Sequence, residues 1–139
     1  MIIRRQVALR RAATVVEFAI VSSVALLMLI GVIVGAMGVF RYQEIARLAR
    51  EGARYAAVRG EAYSRATGQS TATPADVYAN VVLPGGVALN SAQLTSNVTW
   101  SPDKQPGSLV TVTVNYTWVP EAFFGVMTFS STATMPVTY

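Results

Sequence analysis

No histidine and no cysteine occur anywhere in the chain, so the commonest general base, the commonest metal ligand and all thiol chemistry are missing together. What remains is seven acidic residues among 139. Glu44, Glu51, Glu61, Asp76, Asp103 and Glu121 are scattered at spacings that force no two carboxylates into one site, as acid–base catalysis by a carboxylate pair requires. Folding alone could still bring two together. The reading is of a protein that is no enzyme, with no cofactor, no metal and no small-molecule substrate. Asn97-Val98-Thr99 and Asn115-Tyr116-Thr117 match the glycosylation triplet, but threonine-rich alternation produces such matches by chance.

Glu17 differs from the other acids because it stands in a stretch, Ala12 to Phe40, that is otherwise apolar or small. A carboxylate drawn into hydrocarbon costs up to about 3 kcal/mol, so it either reaches the headgroups near Arg10 and Arg11 or finds a cationic partner. Gly31 and Gly35 have the small-xxx-small spacing that lets two membrane helices approach closely, and Gly38 adds a third small position.

These residues need a membrane helix to position them. The chain is 53% hydrophobic and only 13% charged, against about 25% charged for soluble domains. The excess is concentrated in residues 18–40, a charge-free run of 23 that spans about 35 Å as a helix, against roughly 30 Å of hydrocarbon. Arg4, Arg5, Arg10 and Arg11 precede the run with no acid among them, which predicts a cytoplasmic N-terminus and an extracytoplasmic C-terminal domain. A cleaved secretory signal is the competing reading, but its apolar region is usually about 7–15 residues. The basic residues flank the anchor, and only Lys104 lies beyond Arg65, so no basic stripe for nucleic acid exists.

Beyond the run, Tyr42 to Val58 continues the helix, with Ile45, Ala49, Gly52, Ala53 and Ala56 at the spacing of one face. That apolar stripe must pack on something. Gly60 is the expected stop. The polar segment after it reads as a linker, and Thr73-Pro74 with Asp76 reads as a capped start to a short helix that Pro84, Gly85 and Gly86 end. From Leu94 the period falls to two. Leu94, Val98 and Trp100, then Val110, Val112, Val114, Tyr116 and Trp118, then Phe129, Ala133, Met135 and Val137 mark the buried faces of three antiparallel strands, with Ser101 to Ser108 as a turn. The expected fold class is α+β: a basic leader over 1–12, a long N-terminal helix over 13–59 with its transmembrane segment at 18–40, a linker over 60–73, and a head over 74–139 in which a short helix and a small antiparallel sheet pack together.

The stretch Arg11-Ala12-Ala13-Thr14-Val15-Val16-Glu17-Phe18-Ala19, with Ala-Arg-Glu-Gly-Ala-Arg-Tyr-Ala-Ala over 49–57, resembles the TadE-like pseudopilins of the tight-adherence system, a type IV pilin-like family. The resemblance implies removal of the leader by a prepilin peptidase between Ala12 and Ala13, although the usual residue before the cut is glycine. It implies an assembly role for Glu17 and Phe18, with Glu17 pairing to a subunit N-terminal amine. It implies a minor subunit of a surface pilus or related secretion apparatus, anchored in the bacterial cytoplasmic membrane and packing through its helix on other pilin-like subunits and the assembly machinery. Gly31, Gly35, Gly38, Ala49, Ala53 and Ala56 are the expected helix-packing positions. The alternative is an anchored binding module whose helix is only a tether.

Overall fold

The computed structural model describes residues 14–120 and 125–139 in full, and residues 2–13 as helical backbone only. One helix, α1 (Ile2–Ala57), carries the whole apolar run. The chain divides into two units, Met1–Met37 and Gly38–Tyr139. The first is helix alone. The second holds the rest of α1 and every other element, so this unit, which contains the expected head over 74–139, begins inside the charge-free run.

After α1 come α2 (Glu61–Thr67), α3 (Pro74–Val77), a π-helical stretch (Tyr78–Val82), α4 (Leu83–Gly85), and the strands β1 (Leu94–Ser101), β2 (Leu109–Trp118) and β3 (Met127–Pro136). Segment 60–73, expected as a linker, therefore opens with two helical turns. Glu61 bonds Arg65 across one turn at 3.0 Å, and Gly68 closes the helix at φ 72°. Polar composition suggested loop here, but an i,i+4 ion pair and a glycine cap favour a short helix equally well. α3 begins with the expected capping box: Thr73 Oγ1 accepts from the Asp76 amide, and the Asp76 carboxylate accepts from the Thr73 amide.

The sheet has the order β1-β2-β3, antiparallel throughout, with Leu94 opposite Tyr116 and Tyr116 opposite Phe129. Alternation in β2 is complete. Val110, Val112, Val114, Tyr116 and Trp118 are buried, while Thr111, Thr113, Asn115 and Thr117 face outward. Across the outer face Thr111 pairs with Thr134 and Thr113 with Thr132, hydroxyl to hydroxyl at 3.0 and 2.9 Å.

Against the inner face lies α1 from Ile45 to Ala57. Ile45, Leu48, Ala49, Ala53 and Ala56 are fully buried. Burial of the larger side chains among these contributes roughly 1.5–3 kcal/mol each. The small residues set the distance between layers: a Cβ on Gly52 would meet methyls of Val112 and Val77, each at 3.2 Å. Arg47 ties the α4 turn to α1 by donating to the Gly85 carbonyl at 2.9 Å while bonding Glu44 and Glu51. Those two exposed ion pairs contribute only about 0.3–0.5 kcal/mol each.

The far end of α1 is held mainly by backbone hydrogen bonds. The Gly60 amide donates to Tyr139 O (2.8 Å), the Glu61 amide to Lys104 O (2.9 Å), and the Thr138 amide to Ala57 O (2.9 Å). The C-terminus and the β1–β2 turn thus share one clamp. In that turn Asp103 accepts from the Gln105 amide and the Ser108 hydroxyl, and these bonds, the hydroxyl's foremost, hold its carboxyl below the usual range. Asp76 is lowered in the same way, by the Thr73 hydroxyl and then its amide. A lowered folded pKa means stability that is present above the unfolded value near 4 and is lost as pH falls through the folded value. The melting temperature of the head should therefore hold from neutral pH to about 5 and fall below about 4. An Asp76→Asn, Asp103→Asn double variant should fall less steeply in a thermal melt followed against pH. An unchanged slope would remove these two carboxyls as the cause.

Candidate assembly surface

From Thr14 to Met37 the helix carries one charged side chain, Glu17, among apolar residues that stand outward, Phe18 at 72% exposure among them. Both serine hydroxyls in this segment are satisfied locally. Ser22 Oγ donates to Ala19 O at 3.1 Å and Ser23 Oγ to Ala19 O at 2.8 Å, so neither hydroxyl needs water. The helix is long and apolar enough to cross a membrane. Glu17 is exposed on it. The proposed cut between Ala12 and Ala13, and the arginines before it, lie outside the described residues.

The six positions expected to pack helices separate into two groups. Gly31 and Gly35 have open space: a Cβ at either meets nothing within 4 Å. Gly38 is occupied, with Trp118 Cζ3 at 3.2 Å and Phe129 Cζ at 3.7 Å from the place its Cβ would take. Ala49, Ala53 and Ala56 are buried within the chain itself. The stripe outside the charge-free run, which seemed to require bundled neighbours, is thus satisfied within the subunit. A helix scan through Ala49 to Ala56 would read the stability of the head, not contacts between subunits.

A cluster that the strand pattern did not reveal sits where α1 enters the head. The Arg41 guanidinium donates to the Tyr116 hydroxyl at 2.8 Å and lies 5.0 Å over the Trp118 ring. Trp118 stacks on Phe129 with centroids 6.1 Å apart, and Tyr42 meets Phe129 edge-on at 6.5 Å. Arg41 is the first charge after the apolar run, and Trp118 ends the best-alternating strand. Their positions were visible, but not their meeting.

Just past the end of α1, Arg59 stacks 3.8 Å over Tyr55 between two open grooves. One groove is bordered by Glu51, Arg54 and Asn80, the other by Gln69 and Asp76. Among the described residues, no three acids gather where they could hold a metal ion.

Residues 12–54 match the family model described as TadE-like protein. No curated protein sequence and no solved structure matches the chain. The matched segment is under a third of the sequence and lies wholly within α1. It includes Glu17, Gly31, Gly35, Gly38, Ala49 and Ala53, and it leaves out residues 55–139 with the whole sheet.

Proposed function

We propose that this chain is a minor pilin-like subunit, anchored in the bacterial cytoplasmic membrane by α1, that takes part in assembling a tight-adherence pilus or a related apparatus. The observation that carries this is the TadE-like match over 12–54, falling on a helix whose first part, through Met37, offers only outward-facing apolar and small residues besides Glu17. Helix contacts with other pilin-like subunits then run through the Gly31–Gly35 face. The role is structural, with the head extracytoplasmic.

Cleavage before Ala13 by a prepilin peptidase would create an α-amino group, largely cationic at neutral pH with a pKa near 8, four residues before the Glu17 carboxylate. In a medium of low dielectric, an amine on an adjacent subunit offsets the cost of that carboxylate and favours docking in register. Glu17→Gln is expected to leave membrane insertion and abundance near normal and to reduce co-purification with partner pilins after mild detergent extraction, with Glu17→Asp intermediate. Undiminished recovery with Glu17→Gln would show that the carboxylate only sits at the interface.

The tether reading gains from one finding. Ala49, Ala53 and Ala56 are buried within the chain itself, so that stripe supplies no reason for bundling. Assembly through the helix accordingly rests on Thr14 to Met37, and loss-of-association variants confined to that segment separate the two readings.

A further inference from the structure

The unit that holds the head starts within the charge-free run. Gly38 belongs to the head unit and is buried under Trp118 and Phe129, yet Val39 and Phe40 after it still belong to the run. A 23-residue run exceeds the hydrocarbon core by about 5 Å, roughly three residues of helix, which is the length of Gly38 to Phe40. With Glu17, just before the run, held at the opposite boundary, those three residues fall in the headgroup zone, which adds about 5–8 Å on each side of the core. Whatever packs on Gly38 falls there too.

The side chains at this end of the head suit that zone. Val39, Phe40, Tyr42, Val119 and Val126 are 49–66% exposed, and Tyr42 meets the half-buried Phe129 edge-on. Among the described residues of 38–42, 116–120 and 125–129, Arg41 is the one charged side chain. Its guanidinium sits over an indole and on a phenol hydroxyl, beside the aromatic rings. An exposed tyrosine such as Tyr42 and a flanking arginine are side chains that collect at membrane–water boundaries, while the buried Trp118 and Tyr116 hold that arginine in place. The opposite end of the head, with the exposed Asp103 and Gln105, lies by Gly60, just past the end of α1, which is about 28 Å of helix from Gly38.

We propose that the head is seated on the bilayer that α1 enters, through a second contact made by the strand ends at Val119 and Val126 together with Phe40 and Tyr42. The occupant of this surface is the lipid headgroup and upper acyl zone. The proposal rests on the membrane-anchored reading of α1. It goes further by giving the head its own lipid-binding end, so that leaving the membrane for a filament requires that end to be released or re-covered.

Because the chain has no cysteine, single-cysteine variants give a direct test. Leu27→Cys in the span, Val119→Cys and Val126→Cys at the strand ends, and Gln105→Cys at the far turn are labelled with an environment-sensitive fluorophore. The full chain is then reconstituted into phosphatidylethanolamine/phosphatidylglycerol vesicles. Labels at Val119 and Val126 should emit to the blue of the Gln105 label and lose roughly half their emission to a shallow lipid spin label, as side chains seated about 5–10 Å into the boundary would. The Gln105 label should lose none. Unquenched Val119 and Val126 beside a quenched Leu27 would overturn the seat and leave the anchor standing. Protection that appears only when other pilin-like subunits are added would overturn it in favour of a protein surface. An unquenched Leu27 would remove the anchor, and the proposal with it.

Discussion

Gly60→Ala is expected to lower the melting temperature of the head by on the order of 15 °C, corresponding to about 3 kcal/mol lost. A Cβ at this position would stand 2.5 Å from Lys104 O, 2.6 Å from Tyr139 O and 2.7 Å from a Val137 methyl. Two of the three obstacles are backbone carbonyls. Each accepts a hydrogen bond from the α1 terminus, Tyr139 O from the Gly60 amide and Lys104 O from the Glu61 amide, so neither can withdraw without breaking a bond that buried backbone needs. Gly85→Ala is the matched control. Its Cβ also meets an atom at 2.5 Å, but that atom is the end of the Leu48 side chain, which can turn aside, so a loss of only about 1 kcal/mol is expected. Tryptophan fluorescence of the full chain in detergent follows both, since Trp100 and Trp118 lie in the head. Equal melting temperatures for the two variants would show that the clamp yields and that Gly60 is not the fixed point of the fold.

The second large effect concerns association and leaves the fold alone. Gly31→Leu combined with Gly35→Leu should cost on the order of 2 kcal/mol of helix pairing, a roughly 30-fold loss in recovered partner pilins, with the head melting as in the parent chain. The two effects separate because a side chain at either glycine meets nothing within 4 Å inside the subunit. The added leucines would hold a neighbouring backbone away from the groove, and no hydrophobic drive in lipid compensates, because acyl chains are as apolar as leucine. Partner recovery unchanged by the double substitution would place the contact on another face of α1. It would also favour the reading in which the helix only tethers the head.

Much of this molecule was determined by local pattern. A charge-free run of 23 residues, a run of valines alternating with threonines over 110–114, and a Thr-Pro-x-Asp start are each governed by interactions within a few positions along the chain, so the sequence displays them directly. For the same reason the α+β class, the three strands with their inward faces, and the candidate assembly residues Glu17, Gly31 and Gly35 could be read before any coordinates. The stripe Ile45, Ala49, Gly52, Ala53 and Ala56 was equally visible as an apolar face. Its partner was not, because periodicity marks a face for burial without saying whether a neighbouring subunit or the chain's own sheet covers it. Tertiary structure decided that question in favour of the chain itself, with Gly52 against Val112 and Val77, and it placed Gly38 under Trp118 and Phe129, 80 and 91 positions away in sequence. The clamp at Gly60 was hidden for a related reason. It consists of backbone amides and carbonyls, which every residue carries alike, so nothing in the side-chain sequence marks where Tyr139 and Lys104 meet the end of the helix.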